Sequence, residues 1–228
     1  MHNIKSKSIL ISWRETILGT IALLSILFVY LIFPSNYGPG FLPFLQTITK
    51  EFFLLFLTPL LFVRFILKKS FQEYGFSLKN KHRGFIYAGS ALVFSLILSY
   101  ILIRYTDFLK FYKLEPVVIV NFWMFLLREL VFFNLILFFY EYFFKGFVLS
   151  LYSEKFLYGA IFIQALLYLI PNLVSPNNFL SSAPMAMIAL IGGIVAYQTR
   201  SFFYSYFYSL AYIIILDSFV IYSLKNGL

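Results

Sequence analysis

The sequence predicts an all-α protein, a polytopic helical membrane bundle of about seven transmembrane helices, with six to eight as the range. Hydrophobic residues make up 61% of the 228 residues and charged residues only 12%. The mean hydropathy is +0.87, so too little polar surface is available for a water-soluble fold of this size. The few charged residues also cluster between apolar stretches, as membrane-spanning helices require.

Apolar stretches of about 20 residues mark the individual spans. The segment from Val117 to Tyr152 is too long for one straight crossing, and it indicates either a short interfacial helix followed by a span or one long tilted helix. The aromatic run Phe202–Tyr208 is expected to form an interfacial belt with lipid-facing rings. The other expected spans, in chain order, are Thr16–Phe33, Glu51–Leu67, Gly84–Ile103, Phe156–Leu169, Ala183–Ala196 and Phe202–Tyr222.

The basic residues lie mainly in alternate loops, which predicts the orientation of the bundle. Five bases follow the second span, while the pair Lys50 and Glu51 and the mixed charges after Arg104 fall on the opposite side. The amino terminus is therefore expected in the cytoplasm, in a bacterial inner membrane, and the carboxyl terminus outside if the count is seven. The first apolar stretch is long and lacks a small-x-small cleavage site before Pro34, so a retained span is expected rather than a signal peptide. A single membrane domain covers residues 1–228.

Composition excludes several kinds of chemistry. The chain has no cysteine, which excludes disulfides, thiolate nucleophiles and Cys-ligated metal centres. Its only histidines, His2 and His82, lie in polar segments, so no metal and no other cofactor is expected within the membrane. The net charge of +9 is explained by the inner-loop bias and by attraction to anionic membrane lipids, and nucleic acid is not an expected partner because no basic stripe tracks phosphates.

Glu141 and Lys145 are the main candidate site residues, because they lie one helical turn apart in an otherwise apolar and aromatic run. A charge at membrane depth costs about 2.5–3.5 kcal/mol even on the lenient insertion scale. The spacing predicts an ion pair on one helix face, and Gly146 would allow a neighbouring helix to approach closely. Either the pair serves catalysis, or the two charges neutralise each other, or Lys145 extends to the interface as an anchor. Arg128, Glu129 and Asp217 are the other charges near spans.

The segment Tyr140–Gly146 resembles the first motif of the CAAX-protease and bacteriocin-processing family of membrane proteins, also called the Abi family. That motif is Glu-Glu-x-x-x-Arg followed by Gly on a transmembrane helix. Glu73–Ser77 resembles the family's Asp-Leu-Gly-Leu element, and Gly192–Ser201 resembles the stretch before its last core helix. The resemblance covers about residues 73–222, and it implies a CAAX-protease-like core there.

Several catalytic positions of the family are altered in this chain. The resemblance places Tyr140 at the first glutamate of the motif, Glu141 at the second and Lys145 at the arginine. It places Asn172 at the histidine of the Phe-x-x-x-His motif. The histidine of the third motif falls near Ser209, or Tyr208 in a shifted register, and no register restores a histidine.

These replacements favour a pseudoprotease, in which the helical bundle binds a lipidated or transmembrane peptide or scaffolds a membrane complex. A tyrosine is a poor general base near neutral pH because its phenol titrates at about 10. The alternative is an active intramembrane endopeptidase with atypical residues, in which Glu141 is the base and Asn172 an oxyanion donor. A third reading is a transporter subunit with Glu141 in an ion path.

Overall fold

Helices make up nearly all of the computed structural model, which describes residues 2–33, 41–79, 81–112, 114–174 and 179–226. Within these ranges no β-strand occurs, which confirms the all-α class. Turns of π-helix lie at Phe52–Leu57, Phe62–Ile66, Arg128–Phe133 and Tyr142–Val148, and a 3₁₀ turn lies at Phe71–Tyr74. The α-helices are α1 (His2–Ile32), α2 (Phe41–Glu51), α3 (Thr58–Leu61), α4 (Lys81–Tyr105), α5 (Phe108–Phe111), α6 (Pro116–Val120), α7 (Phe122–Leu127), α8 (Asn134–Glu141), α9 (Leu149–Phe156), α10 (Gly159–Val174), α11 (Phe179–Thr199) and α12 (Phe202–Asn226).

In the described residues, five helices are long and apolar enough to cross a membrane, which is compatible with an integral membrane protein. The count of about seven is not confirmed. The expected span Glu51–Leu67 falls in a helical stretch of mixed α and π turns, and the expected span Phe156–Leu169 corresponds to a shorter apolar helix. The five long helices are Trp13–Ile32, Lys81–Tyr105, Phe122–Phe156, Leu180–Thr199 and Phe202–Asn226.

The long apolar segment after Glu115 contains features of both expected arrangements. The short helix α6 ends at Val120. The side chain of the next residue, Asn121, accepts hydrogen bonds from the backbone N–H groups of Trp123 at 2.9 Å and Met124 at 3.3 Å. That N-cap begins a continuous helix of 35 residues, Phe122–Phe156, hereafter the long helix. At 1.5 Å per residue it is about 50 Å long, which exceeds the roughly 30 Å hydrocarbon core of a bilayer.

The basic loops meet at one end of the bundle, hereafter the basic end. Lys69 in the loop after the second π turn pairs with Glu15 of α1 at 3.3 Å, and Lys155 of the long helix lies 5.1 Å from the ring centroid of Trp13. The loop at Gly75 joins the same end, because its carbonyl accepts a hydrogen bond from the backbone N–H of Phe202 at 3.2 Å. Gly75 has a φ of +88°, and an added Cβ would lie 3.1 Å from the Cα of Gly146, so this close approach requires glycine.

The two helices α4 and α12 pack together in parallel along a seam of small residues on α4. The buried residues of that seam are Gly84, Ala88, Ala91, Ser95 and Ser99. Tyr208 and Tyr212 of α12 lie against it, and their hydroxyls share hydrogen bonds of 2.7 Å with Ser95 and Ser99. The expectation of lipid-facing rings is wrong for Phe202, Tyr204 and Tyr208, which are buried, whereas Phe203 and Tyr206 are partly exposed and Phe207 is exposed. Small residues on α4 leave room for the rings of Tyr204 and Tyr208 inside the bundle.

Candidate functional site

Glu141 and Lys145 form a buried ion pair in the long helix. Glu141 is the last residue of α8, and Lys145 lies in the following π turn. The Lys145 Nζ donates to the Glu141 Oε1 at 2.6 Å. Since Glu141 is 0% exposed and Lys145 only 2%, the two charges compensate each other inside the protein, and Lys145 does not extend to the interface.

Ser209 of α12 is a third member of this site. Its hydroxyl donates to the same Glu141 Oε1, at 3.0 Å. One carboxylate oxygen therefore receives two donors, whereas Glu141 Oε2 is buried and has no hydrogen-bond partner among the described residues. The serine that the sequence places near the third-motif histidine is thus in direct contact with the candidate glutamate.

Two further helices enclose the Lys145 ammonium. Its Nζ lies 5.4 Å from the ring centroid of Tyr168 on α10. On α11, a Cβ added to Gly192 would lie 2.3 Å from that Nζ and 2.7 Å from the hydroxyl oxygen of Ser205. Gly192 therefore leaves the space that the ammonium occupies. The pair lies where the long helix, α10, α11 and α12 meet.

Asn172 and Tyr140 complete the sequence-predicted positions. The backbone of Asn172 lies in α10, one turn beyond Tyr168, while its side chain lies outside the described residues, so a catalytic role for it stays a prediction. Tyr140 belongs to a different polar contact, because its hydroxyl shares a hydrogen bond with the Tyr30 hydroxyl of α1. Tyr30 in turn donates to Glu51 Oε1 at 2.8 Å.

Glu51 carries a buried carboxylate. The sequence instead predicted a pair of opposite charges, Lys50 and Glu51, in a loop. The helix α2 begins at Phe41, so Glu51 lies inside a helical stretch and is 0% exposed. Glu51 directly precedes the first apolar run of its segment. A residue at that position in a sequence is equally compatible with the end of a loop and with the interior of a helix. The tyrosine partner that marks it as interior lies 21 positions away in the chain.

The buried acids Glu129 and Asp217 form a second cluster with the partly exposed Arg128, hereafter the carboxylate cluster. The Arg128 Nη1 donates to Glu129 Oε1 and to Asp217 Oδ2 at 3.1 Å. Tyr112, between α5 and α6, donates its hydroxyl to Asp217 Oδ1 at 2.5 Å. Burial, and next the neighbouring Asp217 carboxylate, raise the pKa of Tyr112 well above its ordinary value, so this hydroxyl keeps its proton and acts as a donor.

Each of three buried glutamates adjoins a π turn. Glu51 directly precedes Phe52–Leu57, Glu129 lies within Arg128–Phe133, and Glu141 directly precedes Tyr142–Val148. A π turn adds one residue to a helical turn and is frequent at functional sites. These turns change which residues face the interior, so the sequence positions of buried groups depart from simple helical periodicity.

Comparison with protein-family models, curated proteins and solved structures returns no match for this chain. Within the described residues, no group of three or more His, Cys, Asp or Glu side chains is arranged to hold a metal ion.

The geometry limits what Glu141 can do chemically. A general base needs a free lone pair within about 3 Å of the proton it takes. Oε1 is occupied by Lys145 and Ser209, which leaves Oε2 as the one carboxylate oxygen available to a water molecule. Ser209 supplies a hydroxyl but cannot store a proton as an imidazole does.

Proposed function

We propose that this chain is a membrane-embedded, CAAX-protease-like pseudoprotease whose helical bundle binds a lipidated or transmembrane peptide or scaffolds a membrane complex. The observation that carries the proposal is the closed Glu141–Lys145 pair. Both side chains are buried and directly bonded to each other at 2.6 Å. The carboxylate oxygen bonded to the ammonium also accepts a hydrogen bond from Ser209, so the two charges compensate each other inside the bundle as a structural ion pair does.

The arrangement of the motif-like segments also supports this proposal. Tyr140–Gly146 resembles the first family motif, and the resemblance places the second motif at Tyr168–Asn172 and the third near Ser209. The first of these segments, Tyr168 and Ser209 lie around one point in the bundle. Ser209 contacts Glu141, and Tyr168 lies beside Lys145. A helical core with this arrangement, but with tyrosine and serine at two catalytic positions, has the layout of a protease site without its usual base and histidines.

Peptide binding tests the proposal. A panel of fluorescent farnesylated and transmembrane peptides is added to the purified protein in bilayer nanodiscs, and binding is followed by anisotropy. We expect at least one peptide to bind saturably, to be displaced by its unlabelled form and to stay intact. The matched control is the same titration with empty nanodiscs, which should show no saturable binding. Absence of saturable binding across the panel would contradict the proposal.

An active endopeptidase is the second candidate, and one observation favours it. Glu141 Oε2 is buried without a hydrogen-bond partner among the described residues. Such an oxygen could hold a nucleophilic water molecule, with Asn172 as an oxyanion donor. This candidate requires peptide hydrolysis that depends on Glu141.

We also propose that the protein lies in the bacterial inner membrane with the basic end in the cytoplasm. The support is the positive-inside rule, applied to loops that the contacts of Lys69, Lys155 and Gly75 bring to one end. The amino terminus would then be cytoplasmic. The membrane lipids themselves are the first expected partners.

Single-cysteine labelling tests this orientation, since the chain has no cysteine of its own. Tyr158, at the basic end, and Thr106, at the opposite end, are both exposed. In intact spheroplasts a membrane-impermeant maleimide should label Thr106→Cys and leave Tyr158→Cys unlabelled until the membrane is permeabilised. The reverse labelling pattern would overturn the proposed orientation.

A further inference from the structure

A cavity of about 470 Å³ lies at the end of the bundle opposite the basic end. It is formed by the carboxyl-terminal turns of the parallel helices α4 and α12 together with the short helix α5. The lining residues that carry the inference are Tyr100, Arg104, Asp107, Lys110, Phe219 and Ser223. This cavity is separate from the Glu141–Lys145 pair, and the proposed function does not use it.

The cavity carries a net positive charge. Arg104 and Lys110 contribute two cations and Asp107 one anion. Lys110 Nζ lies 2.7 Å from Asp107 Oδ1, and their side chains are 75% and 62% exposed, so this pair is weak and can exchange for another anion. Arg104 makes no salt bridge with any residue in the described part of the chain. The lining as a whole therefore favours a ligand with one negative charge.

A buried hydroxyl and an apolar wall add to this charge. Ser223 lines the cavity and is only 1% exposed, and its Oγ has no hydrogen-bond partner among the described residues. A buried hydroxyl without a partner is unfavourable, and a ligand oxygen would supply that partner. Tyr100 and Phe219 face the cavity and are 58% and 37% exposed, on helices apolar enough to cross a membrane.

We propose that this cavity binds the phosphate group of an anionic phospholipid. A phosphodiester carries one negative charge, which matches the net charge of the lining. The planar guanidinium of Arg104 suits two phosphate oxygens at once, the Lys110 ammonium adds a second charged donor, and the Ser223 hydroxyl donates to an ester or glycerol oxygen. The glycerol and acyl chains then lie along Tyr100 and Phe219. A free phosphate shares the headgroup chemistry but makes no use of the apolar wall.

Binding of a short-chain phosphatidylglycerol to the full chain in uncharged maltoside micelles tests the proposal. A fluorescent phosphatidylglycerol is titrated with the wild type, with Arg104→Gln and with the control Lys225→Gln. Lys225 is an exposed base in the last turn of α12, outside the cavity lining. We expect saturable binding to the wild type, an affinity about tenfold lower for Arg104→Gln, and no change for Lys225→Gln. Phosphatidylcholine of the same chain length should compete at least tenfold less well.

The competing source is distinguished in the same assay by inorganic phosphate and glycerol phosphate. Neither should displace the fluorescent phosphatidylglycerol at the concentration at which phosphatidylglycerol itself saturates the protein. Displacement by either at equal concentration would assign the cavity to a free phosphate and overturn the lipid proposal. Equal affinity of wild type and Arg104→Gln, with both proteins folded by circular dichroism, would also overturn it, since non-specific association of the lipid with the bundle would then explain the signal.

Discussion

Replacement of Lys145 by methionine is expected to lower the free energy of unfolding by about 3–5 kcal/mol, because Glu141 would remain buried without a compensating charge. The groups around Glu141 can compensate little of its charge. Glu141 is 0% exposed, and Ser209 is its other hydrogen-bond donor. Denaturant titration in micelles, followed by circular dichroism, measures the effect.

The control for Lys145→Met is the same change at an exposed ion pair. Lys110 pairs with Asp107 at 2.7 Å but is 75% exposed, so Lys110→Met should change stability by less than about 1 kcal/mol. The double variant Glu141→Gln with Lys145→Met should recover most of the loss, because no unpaired charge remains. A single variant as stable as the wild type would show that groups other than Lys145 compensate the charge of Glu141.

Replacement of Arg128 by methionine is expected to cost at least as much, about 3–5 kcal/mol. Arg128 is the shared partner of two buried acids, Glu129 and Asp217. Without it two carboxylates would face each other, and Tyr112 would be the hydroxyl donor left to Asp217. Thermal and denaturant unfolding in micelles measure the loss.

Matched variants distinguish the loss of stability caused by breaking the carboxylate cluster from any general effect of removing an arginine. Arg83 is exposed at the start of α4, and Arg83→Met should change stability by less than about 0.5 kcal/mol. Addition of Glu129→Gln and Asp217→Asn to Arg128→Met should restore much of the stability. If the triple variant were less stable than Arg128→Met, the carboxylate cluster would be held by its hydrogen bonds rather than by its charges.

Hydropathy predicts the helices of this protein well and their packing poorly. The bounds expected for α4 and α12 agree with the structure to within a few residues, because span length depends on local apolar content. The burial of Tyr204 and Tyr208 could not be predicted, since it depends on the small residues that α4 places against them. The burial of Phe202 likewise depends on distant residues, the rings of Phe76, Phe138 and Tyr142. Aromatic residues are favourable both at a lipid interface and in a protein interior, so their presence in the sequence does not distinguish the two.

The candidate site was predictable within one helix and unpredictable between helices. The spacing of Glu141 and Lys145 sufficed to predict an ion pair, and the family resemblance indicated the region of Ser209 as part of the site. The contact of Arg128 with Asp217 joins residues 89 positions apart, and that of Tyr30 with Glu51 depends on how α1 and α2 pack. The π turns beside Glu51, Glu129 and Glu141 also shift the helical faces, and the sequence carries no clear signal for them.

The most direct test of the central claim is the hydrolysis of membrane peptides by the wild type in bilayers. The wild type is compared with the double variant Glu141→Gln and Lys145→Met, which removes the base without leaving a buried charge. Cleavage of the farnesylated and transmembrane peptides is followed by mass spectrometry. A pseudoprotease predicts the same background rate for both proteins. Cleavage by the wild type that the double variant lacks, with both proteins folded, would contradict the account and show that the Glu141–Lys145 pair is required for hydrolysis.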